Sequence, residues 1–189
     1  MILIASDGRY DPEMEPPETR LEPPTSMTLS DKGLGTAAGA MIARVVENNT
    51  VLTALDLRKN ALGVPVAAAF AHCLAHDACS LRSLHLAANP LCGVRLERGE
   101  YDSSGLLQLA HSLRSNSTLT SLNLAASQGD TSSSMGPEAA SALADALAAN
   151  TSLTELSVQH NVNIGTEGID ALAAALGQNA SLLALNVAR

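Results

Sequence analysis

The sequence predicts an α/β solenoid, a stack of thin and similar layers. Three observations predict it: a leucine pattern that recurs along the chain, a helical spacing of apolar residues behind its copies, and a near absence of aromatic side chains. Of 189 residues 46% are apolar, yet there is no Trp, one Phe and two Tyr. Aromatics supply much of the bulk of an ordinary core, because each buries a large area. Here Leu and Ala must do that filling, which favours many similar layers over one thick core.

Laid against itself, the chain repeats. The clearest copy is Leu52-x-x-Leu55-x-Leu57-x-x-Asn60-x-Leu62, and it returns as Leu81-x-x-Leu84-x-Leu86-x-x-Asn89-x-Leu91. A third runs Leu119-x-x-Leu122-x-Leu124 with Ser127 in the Asn place, and a fourth Leu153-x-x-Leu156-x-Val158-x-x-Asn161 with Ile164 one residue late. Met27-x-Leu29 followed by Leu34 is a degenerate first copy, and Leu182-x-x-Leu185-x-Val187 a last one cut short. The six starting points, near 24, 52, 81, 119, 153 and 182, lie 28, 29, 38, 34 and 29 residues apart.

Behind these copies the period changes. After Gly35, Gly63, Gly136 and Gly165, apolar residues recur at spacings of three and four, the mark of one buried helix face per repeat. The faces read Ala67, Phe70 and Leu74; Leu106, Leu109 and Leu113; Ala140, Leu143 and Leu147; Ile169, Leu172 and Leu176. Asp102 or Ser103 is the expected N-cap of the second of these. Pro65 and Pro137 fall in first turns, where a missing N–H costs little. Asn49, Asn116, Asn150 and Asn179 each stand three residues before the next repeat's first leucine. Asn tolerates the left-handed conformation that ends helices, so these are expected to be C-caps.

The pattern resembles the leucine-rich-repeat family, and its ribonuclease-inhibitor-like subfamily with long repeats in particular. The resemblance covers residues 24–189, about five and a half repeats. It implies a right-handed curved solenoid, a horseshoe with short parallel strands on the concave face and helices on the convex face. No single strand–helix unit can bury its leucines alone, so stability is a sum of unit and interface terms. The motif Asn is expected to bond backbone groups of its turn and of the adjacent repeat. Lys32 and Ser127 replace it, so that ladder should be interrupted in repeats one and four.

Residues 1–23 are read separately, as an acidic, extended, proline-rich tail. Residues 1–30 hold six acids against two arginines, half of the net charge of −8. Such a balance lacks the basic stripe that nucleic-acid binding requires. No apolar run approaches the length of a membrane span. Met1-Ile2-Leu3-Ile4-Ala5 has no basic flank and meets Asp7 too soon for a secretory signal. Cys73, Cys79 and Cys92 are odd in number and cluster mid-chain, which fits a reducing, cytoplasmic setting.

Several sharper motifs give way to plainer readings. Four sequons begin at Asn48, Asn116, Asn150 and Asn179, and their phase with the repeat makes them capping residues rather than glycan sites. Gly33-Leu34-Gly35-Thr36-Ala37-Ala38-Gly39 has the outline of a dinucleotide loop. However, its Leu34-Gly35 is in register with Leu62-Gly63 and Ile164-Gly165, so no cofactor is expected. His72 and His76, near Cys73, Cys79 and His111, occupy a solvent face rather than a converging metal set. No nucleophile elbow, metalloprotease helix or phosphate loop is found, so the chain is not read as an enzyme.

The expected function is to hold another protein. Side chains between the buried leucines would face the palm, with Thr28, Asp56, His85, Asn123, Ser157 and Asn186 as the central column. Arg58, Lys59 and Arg82 form a basic cluster at the strand ends. Two insertions, Arg95 to Tyr101 and Gln128 to Ser134, lengthen strand-to-helix connections and should project from one edge. Arg95, Arg98 and Tyr101 are expected to lead the contact, since Arg and Tyr are enriched in interface hot spots. Arg58, Lys59 and Arg82 should follow, then His85 and Asn123. The chain is read as a scaffold subunit of an intracellular assembly, for example cytoskeletal or ciliary. The alternatives are a regulator resembling Ran GTPase-activating proteins and the sensing repeats of a NOD-like receptor. Neither nucleic acid nor membrane is an expected partner, and the open C-terminal end is a second place for association.

Overall fold

The computed structural model describes residues 24–93, 101–129 and 134–188. The tail assigned to 1–23 lies outside them. Strands and helices alternate: β1 Ser26–Thr28, α1 Thr36–Glu47, β2 Ala54–Asp56, α2 Val64–Ala75, β3 Ser83–His85, α3 Ser104–Leu113, β4 Ser121–Asn123, α4 Pro137–Ala149, β5 Glu155–Ser157, α5 Gly165–Leu176 and β6 Ala184–Asn186. The strands form one parallel sheet in chain order. Its register aligns Met27, Leu55, Leu84, Leu122, Leu156 and Leu185, the middle leucine position of every copy. Each helix packs on the next, α1 on α2 through α4 on α5. An α/β leucine-rich-repeat solenoid is the result.

The core runs between the sheet and the helices. Leu52, Leu55, Leu57 and Leu62 and their equivalents in the middle repeats are buried, as are Phe70, Leu109 and Leu143 from the helix faces. The last helix departs from expectation. Leu172 is buried, but Ile169 and Leu176 are exposed, because within the described residues only α4 and a short 3-10 turn pack on α5. Helices approach closely where a side chain is missing: at Gly105 an added Cβ would collide with the Val64 carbonyl oxygen of α2.

The asparagine ladder forms as expected from the motif. Asn89 accepts from the N–H groups of Asn60 and Leu62 and donates to the carbonyls of Leu57, Leu86 and Ala87. Asn60 and Asn161 make comparable bonds, each to its own turn and to the repeat before it. The residue just before the motif position is left-handed in four repeats, at Asp31, Lys59, Ala88 and His160. Repeat four, where Ser127 stands exposed, lacks this turn, so the interruption there is one of backbone as well as side chain.

The helix-ending asparagines need correction in conformation: Asn150 is the C-cap of α4, with its N–H on Ala146 O, but none of Asn49, Asn116, Asn150 and Asn179 is left-handed. They build a second ladder on the helix-to-strand side. Asn150 donates to the carbonyls of Leu113 (2.6 Å) and Asn116 (3.0 Å) and accepts from Ser152 and Leu153 N–H. Asn116 and Asn179 repeat the arrangement. The third sequon residue joins in, as the Ser152 and Ser181 hydroxyls donate to carbonyls of the preceding repeat. An amide nitrogen so committed is no glycan acceptor. The first sequon is out of phase: its acceptor, Asn48, is exposed, while the ladder residue is its neighbour Asn49.

At α3 the cap is also settled. Ser103 makes no capping bond and donates instead to Glu138 of α4, whereas the Asp102 carboxylate accepts from Ser104 N–H at 2.8 Å. Hydrogen bonding from the Ser104 hydroxyl, and then from its N–H, holds the Asp102 carboxyl below its ordinary range. Cys73 and Cys79 are buried with sulfurs 3.2 Å apart, and no cysteine is in a disulfide. The contact with Cys79, together with burial, pushes the Cys73 thiol up, so it stays protonated and serves as packing.

Candidate protein-binding surface

Alternation along each strand sends the leucine inward and its two neighbours to the open face. Two columns result, in register across the sheet: Ser26, Ala54, Ser83, Ser121, Glu155 and Ala184, then Thr28, Asp56, His85, Asn123, Ser157 and Asn186. Many of these groups are already engaged. Asp56 accepts from Arg58 N–H and meets its guanidinium at 3.0 Å, and Asn123 and Asn186 accept from the N–H two residues on. Ser121 donates to Glu155 at 3.1 Å. A shallow hollow of about 180 Å³ lies over β1, β2 and β3, with Asp56 and His85 on its wall. His85 is half-buried. The face is small, polar and mixed in charge.

The sheet separates the expected basic cluster into two. Arg58 and Lys59 follow β2, at the strand-to-helix edge, where Lys59 N–H donates to Ala87 O. Arg82 precedes β3 and its N–H bonds Thr53 O, at the helix-to-strand edge. Parallel strands in register keep these ends apart by the strand length, roughly 15 Å. Arg82 therefore does not open onto the edge of Arg58 and Lys59.

Tyr101 also differs from expectation. Its ring packs against the core and its hydroxyl accepts from Gly136 N–H at 2.8 Å, tying repeat three to repeat four. Burial raises its phenol pKa. The side chain that sequence composition marks as an anchor for a partner is an anchor for the fold. Arg95 and Arg98 lie outside the described residues. The flanks of their insertion are pinned by Asp102 N–H donating to Cys92 O at 3.1 Å.

One feature of this edge was missed in sequence. In the two repeats that carry the insertions, the residues following the strand are Ala87, Ala88, Ala125 and Ala126, all half-buried. Backbone bonds set them in a row with Arg58 and Lys59 on one side and Gln159 and His160 on the other. This low, apolar floor lies between polar side chains, at the root of both insertions. Its signal was the pair of small residues after Leu86 and Leu124, where the neighbouring repeats carry long ones. His72 and His76 are exposed, with His72 meeting Glu47 at 3.1 Å. No cluster of metal-ligating side chains is found among the described residues. No described helix is long and apolar enough to cross a membrane.

Residues 48–71 and 149–173 match the family model of the leucine-rich repeat. No curated protein matches the chain in sequence. Among solved structures it is similar to leiomodin-1 actin-binding site 2, at 20% identity and a TM-score of 0.50, over 86% of this chain and 69% of that one. It is also similar to the tropomodulin C-terminal domain of Caenorhabditis elegans, at 12% identity and a TM-score of 0.51, over 87% of this chain and 74% of that one. At these identities the likeness is one of fold.

Proposed function

We propose that this leucine-rich-repeat protein is a binding module of a cytoskeletal assembly in the cytoplasm, with no catalytic role. It holds another protein along the strand-to-helix edge of the sheet. The observation that carries this reading is the alanine floor between Arg58 and Lys59 on one side and Gln159 and His160 on the other. Arg95 and Arg98 follow the floor's first half in sequence. A flat apolar strip with a charged rim has the composition of a protein interface, apolar at its centre and polar around it. The open strand face, with His85 and Asn123, contributes second, and Arg82 touches only a partner that reaches across that face. Repeat lengths of 28 and 29 support a ribonuclease-inhibitor-like repeat type. The cytoskeletal assignment draws on the likeness to an actin-binding site of leiomodin-1.

The test is direct binding of the purified chain to labelled monomeric actin, followed by fluorescence anisotropy. Saturable binding with Kd of about 1–10 µM is expected for a modest interface. A flat titration to roughly 100 µM removes the cytoskeletal assignment. The second reading, a regulator resembling Ran GTPase-activating proteins, is favoured by the exposed cations Arg58 and Lys59 on a strand-to-helix connection. Single-turnover GTP hydrolysis by small GTPases separates the two. No acceleration is expected, and a clear acceleration overturns the binding-module reading.

A further inference from the structure

Among the described residues, no layer covers the N-terminal end of the solenoid, which presents a core-like surface. A groove of about 530 Å³ runs there between β1 and α1, lined by Pro24, Met27, Ala38, Met41, Ile42 and Val45 among others. Met27, Met41 and Val45 are 42%, 68% and 71% exposed. One repeat further on, the positions of Met27 and Val45 are held by Leu55 and Cys73, which are 2% and 1% exposed. The same register is thus buried wherever a preceding repeat covers it. Terminal repeats that face water carry polar outer surfaces. This one carries methionine, isoleucine and valine, and the outer edge of β1 has no strand paired to it among the described residues.

We propose that the groove is the docking surface for the chain's own Met1–Ala5, added as a parallel strand beside β1 with its apolar side chains over α1. Outside the repeats, Met1-Ile2-Leu3-Ile4-Ala5 is the longest uninterrupted apolar run, and it is rich in the β-branched residues that suit strands. Its chemistry matches the groove, aliphatic against aliphatic. The connection is also right. Eighteen residues, 6–23, separate it from Pro24 at the groove's rim. They reach roughly 60 Å if extended, and a parallel crossover needs about a dozen or more residues. Their prolines and acids suit an extended crossing better than a packed helix. Tethering gives the segment an effective concentration in roughly the millimolar range, which favours it over a second copy of the chain at micromolar concentration. Main-chain pairing on a free strand edge supplies affinity, and the groove supplies selection of side chains.

The experiment is hydrogen exchange by mass spectrometry on the full chain, with sedimentation run in parallel. Protection is expected for peptides covering Met1–Ala5, β1 and α1 in the unaltered protein. The combined Ile2→Ser, Leu3→Ser and Ile4→Ser variant should exchange about tenfold faster over residues 26–47, with residues 143–176 unchanged. From the other side, Val45→Asp alters only an exposed position, so the chain still folds, and it should release protection at residues 1–5. Full, unprotected exchange of Met1–Ala5 in the unaltered protein overturns the proposal, as does unchanged exchange over 26–47 in the serine variant. Sedimentation as a monomer in both forms supports it. A dimer that persists in the serine variant assigns the groove to a second copy and overturns it.

Discussion

At the scale of single residues, the fold is governed by two sets of asparagines that turn backbone groups of neighbouring repeats toward one another. Asn150 satisfies two carbonyls and two N–H groups in a buried place. Asn150→Ala should therefore cost about 3 kcal/mol in urea unfolding, since buried groups left unpaired cost about 1–3 kcal/mol each before relaxation. Asn179 makes the same bonds at the half-buried end of the stack, where water can replace them, and Asn179→Ala should cost about 1 kcal/mol. Equal costs at the two sites would show that burial is not what makes the ladder matter. Ala88 gives a prediction of the opposite sign. It sits at φ 56°, a left-handed conformation that a Cβ makes costly by about 1–2 kcal/mol. Ala88→Gly should be neutral or stabilising by up to about 1 kcal/mol, and a clear destabilisation would contradict the strain argument. The first ladder was legible in the sequence because its Asn is spaced in a fixed motif. The second was visible as a recurring residue but not as a bond pattern. Asn serves caps and ladders alike, and only the φ angles and the partners one repeat away separate them.

At the scale of elements, the leucine spacing settles strand register, because a one-residue slip would turn every leucine outward. The helices were equally legible from spacings of three and four. What the sequence could not reveal is which side chains cross between elements. Tyr101 looks like a surface anchor because it follows a run of charged residues. Its hydroxyl instead bonds Gly136 N–H, thirty-five positions on, across a repeat boundary. Tyr101→Phe should cost about 1–3 kcal/mol by leaving that N–H without its acceptor, and it should leave partner affinity unchanged. Lost affinity without lost stability would return Tyr101 to the interface. Arg82 teaches a related lesson. Adjacent in sequence to a strand, it shares an edge with Thr53 and not with Arg58, because parallel strands put all their starts at one end. Gly105 tests the closeness of α2 and α3. Its missing Cβ makes room for the backbone oxygen of Val64, which cannot swing aside as a side-chain tip would. Gly105→Ala should cost about 2–3 kcal/mol by forcing the helices apart, measured by thermal or urea unfolding.

At the scale of the whole molecule, a stack of layers is stable in its middle and open at its ends. Leu84 and Leu122 lie between covered layers and are fully buried, whereas Leu185 in the last strand is only half-buried. Leu84→Ala and Leu122→Ala should each cost about 2–5 kcal/mol, and Leu185→Ala distinctly less, because the end can relax. The same logic explains the exposed apolar side chains at both ends: Met41 and Val45 at one, Ile169, Leu176 and Leu183 at the other. In the proposed reading the sheet edge and the open face are the surfaces that meet a partner, the edge leading.

The most direct test of that division compares three proteins in one titration with labelled monomeric actin: the unaltered chain, an Arg95→Ala and Arg98→Ala variant, and a His85→Ala and Asn123→Ala variant. His85 and Asn123 lie on the open face of the sheet, away from the core leucines, so stability should hold in that variant and affinity is what the comparison reads. The account predicts that the edge variant weakens binding about fivefold or more, as expected for removing hot-spot arginines, while the open-face variant changes it less than about twofold. Loss of affinity in the open-face variant with the edge variant unaffected would contradict the account and move the partner onto the strands.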